Sequence, residues 1–146
     1  ESSPYILSTA DDFRRQTVEH QTKWIETCTQ SKSAVIIACY FGEEIVGLCN
    51  AQSYKDSKRK HRAALGISIH PEFRSVGLGR KLTETLIESI KRFEDIKTIE
   101  LDVMSANTNA IKLYESFGFK RSGLFPNAYF LPNGEKIDNI SMYLEL

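Results

Sequence analysis

Apolar and polar positions change period along this chain, and each change marks an element. From Thr17 the pattern is helical and runs through Trp24, Ile25 and Cys28. Ala34-Val35-Ile36-Ile37-Ala38-Cys39-Tyr40 is an unbroken apolar run of strand length, rich in branched residues, and reads as a buried strand. Gly42-Glu43 makes a turn, and Ile45 to Ala51 returns as a second strand. A third strand, Ala63 to Ile69, follows a basic loop over 55–62. Leu78, Leu82, Leu86, Ile87, Ile90 and Phe93 then recur on one helical face. Thr98 to Met104 alternates Ile99, Leu101 and Val103 against Glu100 and Asp102, the period of a strand with one face in the core. A second such helix carries Ala110, Ile111, Leu113, Tyr114 and Phe117 inward, with Asn107 or Thr108 as its cap and Gly118 as its stop. Phe119 to Phe130 and Ile137 to Leu144 read as two strands joined through Pro132-Asn133-Gly134. Residues 1–16 are polar and carry no clear period. No linker, repeat or biased stretch divides the chain, so the alternation of strands and helices predicts one α/β domain over residues 1–146.

The sharpest chemical signal lies where the third strand meets the first of the two later helices. Ile67-Ser68-Ile69-His70-Pro71-Glu72-Phe73 leads into Arg74-Ser75-Val76-Gly77-Leu78-Gly79-Arg80, and the helix begins at once. Amides at a helix start have no partner within the helix and carry partial positive charge, which suits a phosphate or pyrophosphate. Gly77 and Gly79 have no Cβ and let a ligand approach the main chain. A tight turn that packs and binds nothing is the plainer alternative. Two nucleotide fingerprints are excluded: Gly79 is followed by Arg80-Lys81-Leu82 where a Walker loop needs Gly-Lys-Ser or Gly-Lys-Thr, and Leu82 stands where a dinucleotide fold needs its third glycine.

Composition narrows the classes. A chain that is 41% hydrophobic and 26% charged is not of the disordered type. With 19 basic and 19 acidic residues it has no net pull toward nucleic acid, and the basic loop carries no interleaved aromatics for stacking on bases. That loop reads as solvated surface, with attraction of a phosphate or an acidic substrate as the alternative. No run has the length of a membrane span and no signal peptide is visible. Cys28, Cys39 and Cys49 lack metal-ligand spacing, so no metal site is expected; reduced thiols fit a cytoplasmic setting. Cys39 and Cys49 sit in apolar strands and read as small buried hydrophobes. His20 has no metal-spaced partner and His70 reads as a turn residue.

Downstream, Asn107-Thr108-Asn109-Ala110-Ile111-Lys112-Leu113-Tyr114-Glu115-Ser116-Phe117-Gly118-Phe119 supplies a second constellation. Together with Arg74-x-x-Gly77-x-Gly79, in this order and at this separation, it resembles the GNAT superfamily of acetyl-coenzyme A-dependent N-acetyltransferases. The resemblance covers residues 34–146. It implies a mixed, splayed β-sheet flanked by helices and acetyl-CoA as cofactor. The C-terminal part, Gly123 to Met142, resembles the branch acting on amino acids, other small amines or protein N-termini. A small-molecule amine is the leading acceptor and a protein N-terminal amine the runner-up. The family's first strand and helix have no convincing equivalent in residues 1–16, so the chain is expected to lack them. Pairing of the C-terminal strands across a homodimer stays open.

The resemblance also assigns roles. Amides from Ser75 through Val76, Gly77, Leu78 and Gly79 to Arg80 would hold the pyrophosphate, with charge from Arg74 or Arg80. Ile67, Ser68 and Ile69 would pair with the pantetheine arm, and an amide there would polarise the thioester carbonyl. Asn107 would meet the cofactor where two parallel strands splay. Tyr114 is the expected general acid, since a phenol titrates near a thiol; a core aromatic is its other reading. Asp102 matches the position of the base in the ribosomal-protein branch, against an ordinary carboxylate paired with a lysine. His61 is a second candidate base, but with Lys60 and Arg62 on either side a solvated loop histidine is the favoured reading. Trp24 is most simply core, although its helix borders the acceptor side in relatives. Phe125, Tyr129 and Phe130 either line the acceptor pocket or fill the sheet. A non-catalytic acyl-coenzyme A sensor would share the glycine turn without needing Tyr114.

Overall fold

The computed structural model describes residues 18–31 and 33–146. The polar start over 1–16 and the expected helix start at Thr17 lie outside the described residues. The elements are α1 (Val18–Gln30), β1 (Ala34–Phe41), β2 (Glu44–Ser53), β3 (Arg62–Ile69), a 3₁₀ turn (Pro71–Phe73), α2 (Leu78–Ile90), β4 (Thr98–Met104), α3 (Thr108–Ser116), β5 (Lys120–Phe130) and β6 (Lys136–Glu145). They form one six-stranded sheet of order β1-β2-β3-β4-β6-β5. All neighbours are antiparallel except β3 and β4.

Period-two alternation gives the sheet two unlike faces. Cys49 and Ala51 of β2, Ala63 of β3, Ile99, Leu101 and Val103 of β4 and Ile140 and Met142 of β6 join Leu82, Leu86, Ile87 and Ile90 of α2 and Ile111 and Tyr114 of α3 in the core. The intervening positions, among them Asn50, Gln52, Glu100, Asp102, Asn139 and Ser141, point to the opposite face. There α1 packs against β1, with Cys28 and Ala34 buried. Ile36 and Ala38 are only partly buried and Tyr40 and Phe41 are exposed, so the strand read as buried is half-covered and, among the described residues, stands at the sheet's edge. β5 is the other edge. Phe125 and Phe130 stand 68% and 69% exposed on it, so they do not fill the sheet.

The break in this sheet matters most. β3 and β4 pair only over Arg62–Thr98, Ala63–Ile99 and Ala64–Glu100. Beyond Glu100 the strands part, and β3 from Leu65 onward has no strand partner on that side among the described residues. Unpaired strand edges of this kind accept an extended ligand as an added strand.

Candidate active site

Both later helices begin at the mouth of the gap. β3 runs through the 3₁₀ turn into α2, whose N-cap is Gly77. β4 runs into α3, whose N-cap is Asn107; its Oδ1 accepts from the Ala110 amide at 3.3 Å. Of the two caps open on sequence, Asn107 is the one used. The two positive helix ends and the parted strands enclose a cleft of about 690 Å³. Its walls come from Ile67, Ser68 and Ile69 of β3, Arg74, Ser75, Gly77, Gly79 and Arg80 of the turn and α2, and Asn107 with the inner side of α3. Among the described residues no carboxylate lines it.

The glycine turn is shaped for an anion. Among the described residues no acceptor, backbone or side chain, meets the amides from Ser75 to Arg80; the first paired amides on either side are Arg74, which donates to the Pro71 carbonyl, and Lys81, which donates to that of Gly77. Ser75 and Gly77 hold φ of 61° and 89°, which turns the chain through left-handed steps. Nothing lies within 4 Å of where a Cβ on Gly77 would sit, so the approach is open. Gly79 is tight: a Cβ there would lie 3.3 Å from both Ile69 Cδ1 and Leu113 Cδ2. The arginines are anchored to protein, with Arg74 Nε donating to the Ile69 carbonyl at 3.1 Å and Arg80 Nη2 to Ser116 Oγ at 3.0 Å. Their remaining N–H groups are available to a phosphate. The side chains of Val76 and Leu78 leave the cleft for a neighbouring groove beside Phe41 and Phe73, so these two residues can offer it only their amides. Asn109, Ala110 and Leu113 also line the cleft. They were not singled out as site residues from sequence, yet the i, i+3 recurrence of 107, 110 and 113 places them on one side of α3.

Tyr114 lies at the inner wall, 5% exposed, its ring 5.6 Å from that of Phe119. It is core aromatic and cleft wall at once. Its hydroxyl has no hydrogen-bond partner among the described residues, yet it is not a sealed unpaired atom. Burial pushes its pKa up, with a smaller push from the neighbouring Cys49 thiol, so it stays protonated through the neutral range. Cys49 is itself raised to about 12 by burial and is inert as a nucleophile.

Asp102 lies across the sheet from Tyr114, on the diverging part of β4. Its Oδ1 accepts from Asn139 Nδ2 at 2.8 Å and from Ser141 Oγ at 2.6 Å. Among the described residues no lysine pairs with it; neutral donors from β6 hold the carboxylate, and Tyr129 extends the chain by donating to Asn139 Oδ1 at 3.1 Å. His61 is separated from all of this. It sits exposed at the start of β3, roughly 25 Å from the cleft end at about 3.3 Å per residue. The basic loop is tied down by Asp56 and Arg59, whose guanidinium stacks 4.1 Å over Tyr54, and by Arg62, which pairs with Glu100. Glu100 also accepts from the Tyr54 hydroxyl. Trp24, read as core, is only half-buried and lines a second cavity.

The model of the acetyltransferase (GNAT) family matches residues 4–119. The chain belongs to this family. The match starts well ahead of residue 34, where the resemblance was read to begin. The L-amino acid N-acetyltransferase AaaT of Escherichia coli is 31% identical over 103 residues, which are 70% of this chain and 62% of that one. The ribosomal protein bS18-alanine N-acetyltransferase of Escherichia coli is 36% identical over 80 residues, 55% of this chain and 53% of that one. The chain thus spans between about half and two thirds of these curated relatives. Among solved structures, a GNAT-family acetyltransferase from Streptococcus pneumoniae superposes with a TM-score of 0.87 at 23% identity, over 94% of this chain and 83% of that one. The mixed, splayed sheet is therefore the GNAT fold. No helix among the described residues is long and apolar enough to cross a membrane.

Proposed function

We propose that this GNAT-family chain is an acetyl-CoA-dependent N-acetyltransferase that acts on a primary amine of a small molecule or amino acid. The observation that carries the reading is the cleft itself: a row of unpartnered amides at a helix start, beside an open strand edge, with a phenol at its inner wall. Acetyl-CoA supplies an acetyl group activated as a thioester. The amides from Ser75 to Arg80, with Arg74 and Arg80, hold its diphosphate. The free edge of Ile67, Ser68 and Ile69 aligns its extended arm, and an amide of that edge polarises the carbonyl. Asn107 braces the gap from the other side. Tyr114 gives a proton to the departing sulfur. Asp102 receives the amine's proton on the opposite face, where Asn139 and Ser141 fix its orientation. The amine attacks directly, since the only thiol near the cleft wall, Cys49, is held neutral. The unpaired state of all three cysteines accords with a cytoplasmic setting. A protein N-terminal amine is the second reading, favoured by the relative that acts on ribosomal protein bS18.

Mixing the protein with acetyl-CoA and a panel of amines, and following free thiol, tests activity and acceptor together. Calorimetric titration with coenzyme A alone tests the cleft. Binding without thiol release across a broad panel makes the chain an acyl-coenzyme A sensor instead. Loss of binding removes the reading altogether. Asp102→Asn is expected to lower the rate by about 10²-fold or more, the usual worth of a positioned base. An unchanged rate clears Asp102 of that role.

A further inference from the structure

A second cavity, of about 520 Å³, lies on the sheet face opposite α2 and α3. α1 roofs it with His20, Lys23, Trp24 and Thr27; β2 and the start of the basic loop floor it with Asn50, Gln52, Ser53, Tyr54 and Lys55, and β3 adds Ala64. Three features define its chemistry. Among the described residues its charged walls are of one sign, because Lys23 and Lys55 line it and no described aspartate or glutamate does. Glu100, which neighbours the wall residue Tyr54, is already engaged by Arg62 and by the hydroxyl of Tyr54, and Asp56, next to Lys55 in the chain, is engaged by Arg59. Neither lysine has an ion-pair partner among the described residues. The rest of the wall is what a small organic molecule needs: an indole, amide groups and hydroxyls around an alanine floor.

The cavity also stands in the right place. Asn50 pairs with Gly66, the residue just before the Ile67-Ser68-Ile69 edge of the cleft. Its Oδ1 would lie 2.9 Å from a Cβ on Gly66, so its amide rests on the strand where the sheet opens. Along this same face, past Glu100, comes Asp102. Asp102 is not part of the cavity wall, so a molecule seated here has positive charge beside it and a carboxylate farther along the face in the direction of the gap. That polarity is complementary to an amine that also carries an acid.

We propose that this cavity is the acceptor subsite and that it selects amines bearing a carboxylate, with Lys23 and Lys55 as the specificity-determining residues. The proposal rests on the acetyl-transfer reading above and deepens it. An amino acid with a free carboxylate fits; a peptide N-terminus, whose carboxyl is tied up as an amide, leaves both lysines without a counter-charge.

The test compares each of phenylalanine, leucine and methionine with its carboxamide and with its glycinamide dipeptide in the thiol-release assay. The wild-type protein is expected to favour the free acids in kcat/KM by tenfold or more. The Lys23→Gln/Lys55→Gln double variant is expected to bring the acids down to the level of the carboxamides through a higher KM, with coenzyme A affinity and thermal unfolding unchanged. Trp24 is the chain's single tryptophan and lines the cavity, so its fluorescence reports binding without turnover. A response to leucine but not to leucinamide, lost in the double variant, supports the subsite even if no amine releases thiol; that combination overturns the transfer reading alone. Equal or better use of the carboxamides or dipeptides by the wild type overturns the proposal, and better use of the dipeptides turns the chain toward peptide N-termini. Retention of the acid preference in the double variant overturns it as well.

Discussion

Replacing Tyr114 by Phe is expected to lower turnover by about 100-fold or more while leaving the fold and coenzyme A affinity in place. The magnitude follows from the role: a general acid in position contributes about 10²–10⁴-fold. The ring is retained, and with it the packing against Phe119. The hydroxyl makes no hydrogen bond among the described residues, so its removal strands no partner. A purely structural tyrosine would therefore give a variant that is equally stable and equally active. Burial sharpens the reading in a further way. The raised pKa makes the phenol a weaker acid than a free one, which widens the mismatch with a thiol in water. A thiolate leaving against the same buried wall is raised by the same desolvation, which narrows that mismatch. Alkaline stability gives a readout independent of activity. Unfolded, the phenol ionises near its ordinary value of 10.0; folded, it is held neutral to higher pH. The unfolded chain then binds fewer protons above that value, so stability falls as pH rises beyond it. The contribution is present below that pH and is lost above it. Urea unfolding of the wild type should decline more steeply at alkaline pH than that of Tyr114→Phe. Full turnover in a folded, cofactor-saturated variant removes Tyr114 from the mechanism.

Much of this architecture was legible because local patterns are decided by local physics. The alternation of Ile99, Leu101 and Val103 with Glu100 and Asp102 gave a strand with a buried and an open face, and the glycine spacing gave the bend before α2. Orientation across elements was less legible. That Asp102 leans on Asn139 and Ser141 depends on β6 lying between β4 and β5, partners 37 and 39 residues away. No local signal carries a pairing of that range; packing of whole faces decides it. Trp24 was read as core because large aromatics on an amphipathic helix usually are. α1 instead covers a polar stretch of sheet, and the indole is left walling a cavity. Val76 enters the turn through its amide alone; its side chain faces the groove beside Phe41 and Phe73, next to the left-handed step at Gly77, an orientation that no local pattern announces.

Gly79→Val is the second substitution with a large expected effect, and the reason is space. A Cβ at this position meets Ile69 Cδ1 and Leu113 Cδ2 at 3.3 Å each, one from either wall of the cleft. Alanine asks those methyl groups to yield by a few tenths of an ångström, and a gain of about 0.8–1 kcal/mol in helix propensity offsets much of that. Gly79→Ala should therefore stay close to wild type. Valine adds two further carbons on a stiff χ1 and cannot turn away from both neighbours. Overpacking of this kind costs about 1–3 kcal/mol. It also pushes α2 off β3 and α3, which moves the amide row relative to the strand edge. Coenzyme A affinity should fall by tenfold or more, since displacement of about 1 Å in a positioning element can cost 10²-fold in function. Gly77→Ala makes the contrast. Its site has open space but a φ of 89°, so the cost is conformational, about 1–2 kcal/mol, with no wall displaced. Calorimetric titration of coenzyme A into each folded variant, beside its thermal unfolding, separates the two mechanisms. Wild-type affinity in a folded Gly79→Val protein would mean that the cofactor does not rely on the amides past Arg74.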